Sequence, residues 1–348
     1  MTVVRLLDVD GLAVEYQTVH GPVQAVRGVS FALPAGRALG LVGESGCGKT
    51  TLARALIGVL PRNARITGGA VRFDGADLLH LAPDRFNDYR WRRIAMVPQA
   101  AMDSLDPVQR VGDQMVETMV LRGGMARATA LGRAAELFRL VGLEPARLRL
   151  FPHELSGGMK QRAVIALALA LRPQLVIADE PVTALDVIVQ HQVLRTLRDL
   201  RAALGLSLLL ITHDISIVAH LCDDVAVMYA GRIVEAGPVA EVFARPNHPY
   251  TMGLRNAFPS LRARQDHLVP IEGYPPDLAQ PPQGCAFAAR CPFAVPRCWE
   301  EDPPFVAAGG LGAACHRAAE APALRAQAAS AFARMVKDEV PTAPTEAV

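Results

Sequence analysis

The stretch Gly43-Glu44-Ser45-Gly46-Cys47-Gly48-Lys49-Thr50 has the residue types and spacing to bind phosphate. It fits G-x-x-x-x-G-K-[ST], the P-loop pattern. The glycines let successive backbone N–H groups turn toward one centre, where an anion would sit. A helix starting at the loop would add its partial positive charge there. Lys49 can reach the β- and γ-phosphates of a nucleotide, and the Thr50 hydroxyl can ligate Mg²⁺. A glycine-rich turn that binds nothing is the bland alternative.

Five further features could join that chemistry. Asp179-Glu180 ends the apolar run Leu175–Ala178, where a carboxylate could serve Mg²⁺ and a neighbour could polarise water. Leu155-Ser156-Gly157-Gly158-Met159 opens a helix, with Ser156 as cap and two glycines exposing N–H groups. His213 follows the run Ser207–Ile211, within reach of a γ-phosphate. Gln99 ends another strand as a neutral group able to approach Mg²⁺ and water. Tyr16 offers a face on which adenine could stack. Taken singly, each has an ordinary structural reading: a solvated turn, a helix start, a hydrogen-bonded histidine, core packing.

The elements that must position these residues are legible as patterns. Ala38–Val42 reads as a buried strand before the loop, and Thr51–Ile57 as a helix after it. Leu175–Ala178, Ser207–Thr212 and Val225–Tyr229 are continuous apolar runs, typical of central parallel strands. Leu12–Tyr16 alternates like an edge strand, and Val29–Leu33 alternates again. Val71–Phe73 with Asp74-Gly75 predicts a strand and turn, and Arg93–Val97 another strand. From about Val111 to Leu140 apolar residues recur at helical spacing, and a long helix is expected over Lys160–Leu171. Strands alternating with helices predict an α/β fold with a mostly parallel sheet. Beyond Gly253 the pattern degrades. Pro270–Gln283 reads as a linker that wraps over something, Pro322–Lys337 as an Ala-rich helix, and Glu339–Val348 as a disordered tail.

Composition bounds the possibilities. The 348 residues are 51% hydrophobic, enough for a large domain plus a smaller one. With a net charge of only +2, a dominant nucleic-acid footprint is not expected. No run approaches the ~18 apolar residues of a membrane span. Met1–Asp8 has no basic stretch ahead of a long apolar one, so no secretory leader is expected. Of six cysteines, Cys47 and Cys222 are isolated. Cys47 lies near a helix N-terminus, which favours thiolate, although the position tolerates any small residue. Cys285, Cys291, Cys298 and Cys315 crowd the C-terminal region, which in a cytosolic chain suggests metal more than disulfides. Their spacing lacks the C-x-x-C pairs of a zinc ribbon. Four thiolates still suit Zn²⁺ or a [4Fe–4S] cluster, and free thiols remain a third reading.

Tyr16, the P-loop, Gln99, Leu155–Met159, Asp179-Glu180, Ala184-Leu185-Asp186 and His213 occur in the order and rough spacing of an ATP-binding cassette. Over about residues 5–255 the chain resembles the nucleotide-binding subunit of an ABC transporter. The resemblance implies a RecA-like P-loop core with an antiparallel β subdomain and an inserted helical subdomain at about residues 100–162. It implies a cassette over residues 1–255, an irregular cysteine-containing extension over 256–330, and a tail over 331–348. It implies ATP and Mg²⁺ as cofactors. Tyr16 would stack on adenine, and Gly43, Glu44, Ser45, Gly46, Cys47, Gly48, Lys49, Thr50 and Thr51 would be Walker A. Gln99 would be the Q-loop residue, Asp179 Walker B, Glu180 the catalytic base and His213 the switch histidine. Thr50, Gln99 and Asp179 would hold Mg²⁺. Ser156, Gly157 and Gly158 would cap the γ-phosphate on the opposite cassette, and Asp186 would couple the two sites. Val182 departs from the family's Glu-Pro-Thr-Thr, without touching a phosphate contact.

Ser104-Leu105-Asp106-Pro107, His248-Pro249-Tyr250-Thr251, Gly273-Tyr274-Pro275-Pro276-Asp277-Leu278 and Gly284-Cys285 resemble the dipeptide/oligopeptide importer branch. The resemblance implies a [4Fe–4S] cluster on Cys285, Cys291, Cys298 and Cys315, with Zn²⁺ as the alternative. It also implies a second ATPase subunit, a paralogue forming a heterodimer, two transmembrane permeases and an extracytoplasmic binding protein. The chain would sit peripherally on the cytoplasmic face of the cell membrane. Nickel or another small solute is an alternative cargo. A soluble ABC ATPase acting on nucleic acid is disfavoured by the single cassette, the short interval Gln99–Leu155 and the near-neutral charge.

Overall fold

The computed structural model describes residues 5–183, 185–257, 269–308 and 310–335. Ala184, the first residues of Met1–Asp8 and the Glu339–Val348 tail lie outside the described residues.

Among the described residues twelve strands form two sheets. In chain order they are β1 (Arg5–Thr18), β2 (Gly21–Pro34), β3 (Ala38–Val42), β4 (Ala64–Phe73), β5 (Ala76–Asp77), β6 (Ile94–Val97), β7 (Leu175–Asp179), β8 (Ser207–Thr212), β9 (Asp224–Tyr229), β10 (Arg232–Pro238), β11 (Val306–Ala308) and β12 (Leu311–Ala313). The antiparallel sheet runs β2-β1-β4-β5 and the larger one β11-β12-β10-β9-β3-β8-β7-β6. β9, β3, β8, β7 and β6 are parallel neighbours.

Every residue of β3, β7 and β8 is buried, which is why these strands read as unbroken apolar runs. The pleat sends alternate side chains to two cores. Leu39, Leu41, Leu175, Ile177, Leu209 and Ile211 pack with β1 and β4 and with Leu52 of the Lys49–Leu56 helix. Val42, Val176, Ala178, Leu208 and Leu210 pack on the other face, with the helices. The expected helical region holds helices at Val111–Leu121, Arg127–Leu140 and Gly157–Ala168.

Leu12–Tyr16 is not at an edge: it lies within β1, between β2 and β4. Its alternation records one face on a core and one toward solvent, a pattern an interior antiparallel strand shares with an edge strand. The extension continues the main sheet, with β12 pairing to β10 through Glu235 and Ala313. The Ala-rich helix spans Ala321–Met335, and its Leu324, Ala328 and Phe332 share a core with Tyr250 and Met252.

Candidate nucleotide site

The loop leaves β3 at Val42 and enters the Lys49–Leu56 helix through Gly48, whose φ is +103°. A Cβ on Gly48 would lie 2.1 Å from the Ala25 carbonyl oxygen, and one on Gly43 2.1 Å from that of Met228. Both positions therefore need glycine for close backbone approach. Lys49 is only 6% exposed. Its ammonium donates to the carbonyls of Gly43 (2.7 Å) and Glu44 (2.9 Å) and lies 3.6 Å from Cys47 Sγ. Burial raises the Cys47 pKa despite the opposing charge of Lys49, in keeping with a position that tolerates any small residue.

The loop borders an open cleft of about 340 Å³, within the size range of small-molecule sites. Tyr16, Ser45, Gly46, Gly48, Lys49, Thr50, Thr51, Gln99 and Glu180 all line it. The Tyr16 hydroxyl hydrogen-bonds Thr51 Oγ1 at 3.1 Å, holding the ring at the cleft wall. Val23, Ala25 and Leu278 complete that wall.

β7 delivers the two acids. Asp179 is 0% exposed, and neither carboxylate oxygen makes a full hydrogen bond. Burial raises its pKa, with the Thr50 hydroxyl pulling the other way. A buried, unpartnered carboxylate beside a hydroxyl fits a hard cation, and Thr50, Gln99 and Asp179 supply the oxygen donors that suit Mg²⁺.

Glu180 stands at φ +50°, rare for a residue with a long side chain. Its N–H donates to the Ile211 carbonyl at 2.8 Å, tying this turn to β8. One carboxylate oxygen accepts from the Thr183 hydroxyl at 2.8 Å, and the other pairs with His213 Nδ1 at 2.8 Å. A carboxylate fixed at both oxygens and facing the cleft has the geometry of a general base. Thr183, three residues after Glu180, was not singled out from sequence. The Glu-x-x-Thr spacing is its only local signal.

Ser156, Gly157, Gly158 and Asp186 do not line the cleft. Ser156 caps the Gly157–Ala168 helix, its hydroxyl accepting from the Met159 N–H at 3.4 Å, and is itself exposed. Asp186 caps the Val187–Leu204 helix by accepting from the Val189 N–H at 3.0 Å. Val182 is buried among apolar neighbours, so its departure from threonine leaves no polar group stranded.

The cysteine expectation is overturned. Cys285, Cys291, Cys298 and Cys315 are free and border a cavity of only about 20 Å³, together with Phe287 and Phe293. That is room for about one water molecule. Burial pushes the Cys285 and Cys315 thiols up to about 11 and Cys291 higher still, which disfavours their thiolate forms. Among the described residues no group of three or more His, Cys, Asp or Glu could hold a metal ion. Neither the [4Fe–4S] cluster nor Zn²⁺ is supported, and the thiols pack as small hydrophobes.

Strand, loop, helix and paired acids on a parallel sheet define a P-loop nucleotide-binding cassette. The family profile "ABC transporter" matches residues 26–183, and "Oligopeptide/dipeptide transporter, C-terminal region" matches residues 234–298. The probable peptide ABC transporter ATP-binding protein y4tR of Sinorhizobium fredii is 47% identical over 320 residues, covering 90% of this chain and 96% of that one. The oligopeptide transport ATP-binding protein OppD of Escherichia coli is 45% identical over 300 residues, covering 86% and 89%. In fold, the dimeric bacterial ABC transporter cassette MJ0796 superposes with TM-score 0.61 at 24% identity, over 67% of this chain and 98% of that one. The chain belongs to the ATP-binding subunits of ABC transporters, closely related to those of the oligopeptide and dipeptide systems, and is an ATPase.

Proposed function

We propose that this chain hydrolyses ATP at the interface of two cassettes closed head-to-tail and thereby drives uptake of di- and oligopeptides. The observation that carries the reading is the Glu180 carboxylate, fixed by Thr183 and His213 at the edge of the cleft that holds Lys49. In this reading Tyr16 stacks on adenine, and Lys49 with the loop N–H groups binds the β- and γ-phosphates. Glu180 takes the proton of the attacking water as oxygen bonds to the γ-phosphorus. The bond from that phosphorus to the bridging oxygen breaks, and ADP is the leaving group. His213 and Thr183 keep the carboxylate aimed at the water. Thr50, Gln99 and Asp179 would hold Mg²⁺, whose charge offsets the negative charge on the phosphate oxygens.

Exposure of Ser156 away from its own cleft supports action on a nucleotide held by another cassette. Asp186, beside that interface, would couple the two sites. The peptide cargo rests on the names of the relatives and on the match over residues 234–298. Among the described residues no helix is long and apolar enough to cross a membrane. In the proposal the path across it belongs to two partner permeases, with a paralogous second cassette and an extracytoplasmic binding protein completing the assembly. The chain would sit on the cytoplasmic face.

Vesicles reconstituted with both cassettes, the permeases and the binding protein should accumulate labelled peptide only with ATP inside the compartment that holds the cassettes. Accumulation of nickel in place of peptide would reject the cargo. Pairing a Ser156→Arg chain with a Lys49→Ala chain tests action in trans. The two lesions should then fall on one composite site and leave the other competent. Damage confined to the site around the altered chain's own Lys49 would reject it.

A further inference from the structure

The extension reaches back to the phosphate loop through one side chain. Arg290 lies in the segment between Cys285 and Cys291 and is 5% exposed. Each nitrogen of its guanidinium has a partner. Nη1 donates to both carboxylate oxygens of Glu44, at 3.1 and 2.8 Å, and to the Tyr229 hydroxyl at 3.2 Å. Nε donates to the Glu272 carbonyl at 2.9 Å and Nη2 to that of Ile271 at 3.2 Å.

Arg290 thus joins the second residue of the P-loop, the end of β9 and the strap that begins the described extension. The strap's far end is at the cleft. The Leu278 carbonyl accepts from the Gln24 N–H at 3.1 Å, and Leu278 lines the cleft beside Tyr16 and Val23. Glu44 is also held by its backbone, its N–H donating to the Tyr250 hydroxyl at 3.0 Å.

A carboxylate in an anion-binding loop is unfavourable unless its charge is cancelled. Unpaired, Glu44 would repel the triphosphate, with its 25% exposed side chain only partly screened by solvent. A forked guanidinium that is itself buried cancels that charge and fixes the carboxylate's direction. We propose that Arg290 is a positioning residue of the ATP site, acting through Glu44 and through the strap that presents Leu278. This rests on the reading of Gly43–Thr51 as the ATP site.

The test uses the full chain and a fluorescent ATP analogue, with kcat, KM and the unfolding midpoint measured for each variant. Arg290→Met should weaken nucleotide binding about tenfold and raise KM in step, with kcat changing less. Arg290→Met combined with Glu44→Gln should recover most of the loss, because the repelling charge is gone. A merely structural Arg290 would lower the midpoint, leave KM unmoved and show no rescue, and that result would overturn the proposal. Should the truncation not fold, Arg290→Lys and Leu278→Ala carry the test. Each should weaken binding about threefold, the lysine through loss of the fork to Ile271 and Glu272. Wild-type affinity in both would overturn the proposal. Lys49→Ala separates the two levels. If it binds ATP normally, the site reading fails. If it loses ATP while Arg290→Met does not, only the positioning role fails.

Discussion

The cleft around Lys49 and the cavity around Cys291 are both lined by groups able to bind ions, and they are built in opposite ways. In the cleft, polar atoms face about 340 Å³ of open space, and behind Thr50 the buried Asp179 carboxylate has no full hydrogen-bond partner. Around Cys291 the thiols face about 20 Å³ lined by aromatic rings, and burial raises the pKa of Cys285, Cys291 and Cys315. Residue type alone made the two regions look alike. Room and unsatisfied donors or acceptors separate a binding site from a packed core.

Four measurements probe that contrast. The largest effect is expected at the cleft: Lys49→Ala should weaken ATP binding by about 100-fold or more, the 2–5 kcal/mol typical of removing one partner from a buried charge pair. Equilibrium titration with a fluorescent ATP analogue would measure it.

On the extension side, Glu235 is fully buried and accepts from the N–H groups of Asn247 and His248. Burial raises its pKa to about 7. The folded chain therefore holds a proton that the unfolded chain has already released. Stability from this group is present at low pH and is lost as pH rises from about 4.5 to 7, by about 3 kcal/mol in all. The neighbouring His248, pushed down to about 3 by burial, works in the opposite direction. Comparing urea unfolding of wild type and Glu235→Gln across this window isolates the glutamate. Parallel pH profiles would refute the assignment.

Next, His213→Ala removes one of the two groups orienting Glu180. It should lower kcat about tenfold, with KM for ATP little changed. A KM effect alone would make His213 a binding group. The smallest effect is expected from metal removal at the cysteines. A strong iron or zinc chelator should leave the unfolding midpoint unchanged, and protein purified without oxygen should contain only substoichiometric iron, sulfide and zinc. A stoichiometric metal would break the contrast.

Legibility in the sequence followed the range of the interactions. β3, β7, β8 and β9 were readable because burial on both faces writes a continuous apolar run. Lys49 was readable because its loop pattern demands it, whereas Glu180 and Gln99, ordinary strand-end residues taken singly, gained meaning only from their order along the chain. The Pro270–Gln283 stretch was rightly read as wrapping over something, but what it covers, the nucleotide cleft at Leu278, was not legible. Tyr250 and Leu278 lay in stretches noted only as branch markers. Arg290 meets Glu44 across 246 residues, and no periodicity or spacing encodes such a contact. The cysteines failed for a related reason: spacing shows that four thiols are near in sequence, not whether the fold leaves space between them.

Glu180 is the proposed base of an ATPase whose remaining parts bind nucleotide without it. Glu180→Gln keeps the shape and removes the proton acceptor. Measured together on the full chain with Mg²⁺, ATP binding should stay near wild type while steady-state hydrolysis falls by about 100-fold or more. Normal turnover in Glu180→Gln would contradict the account.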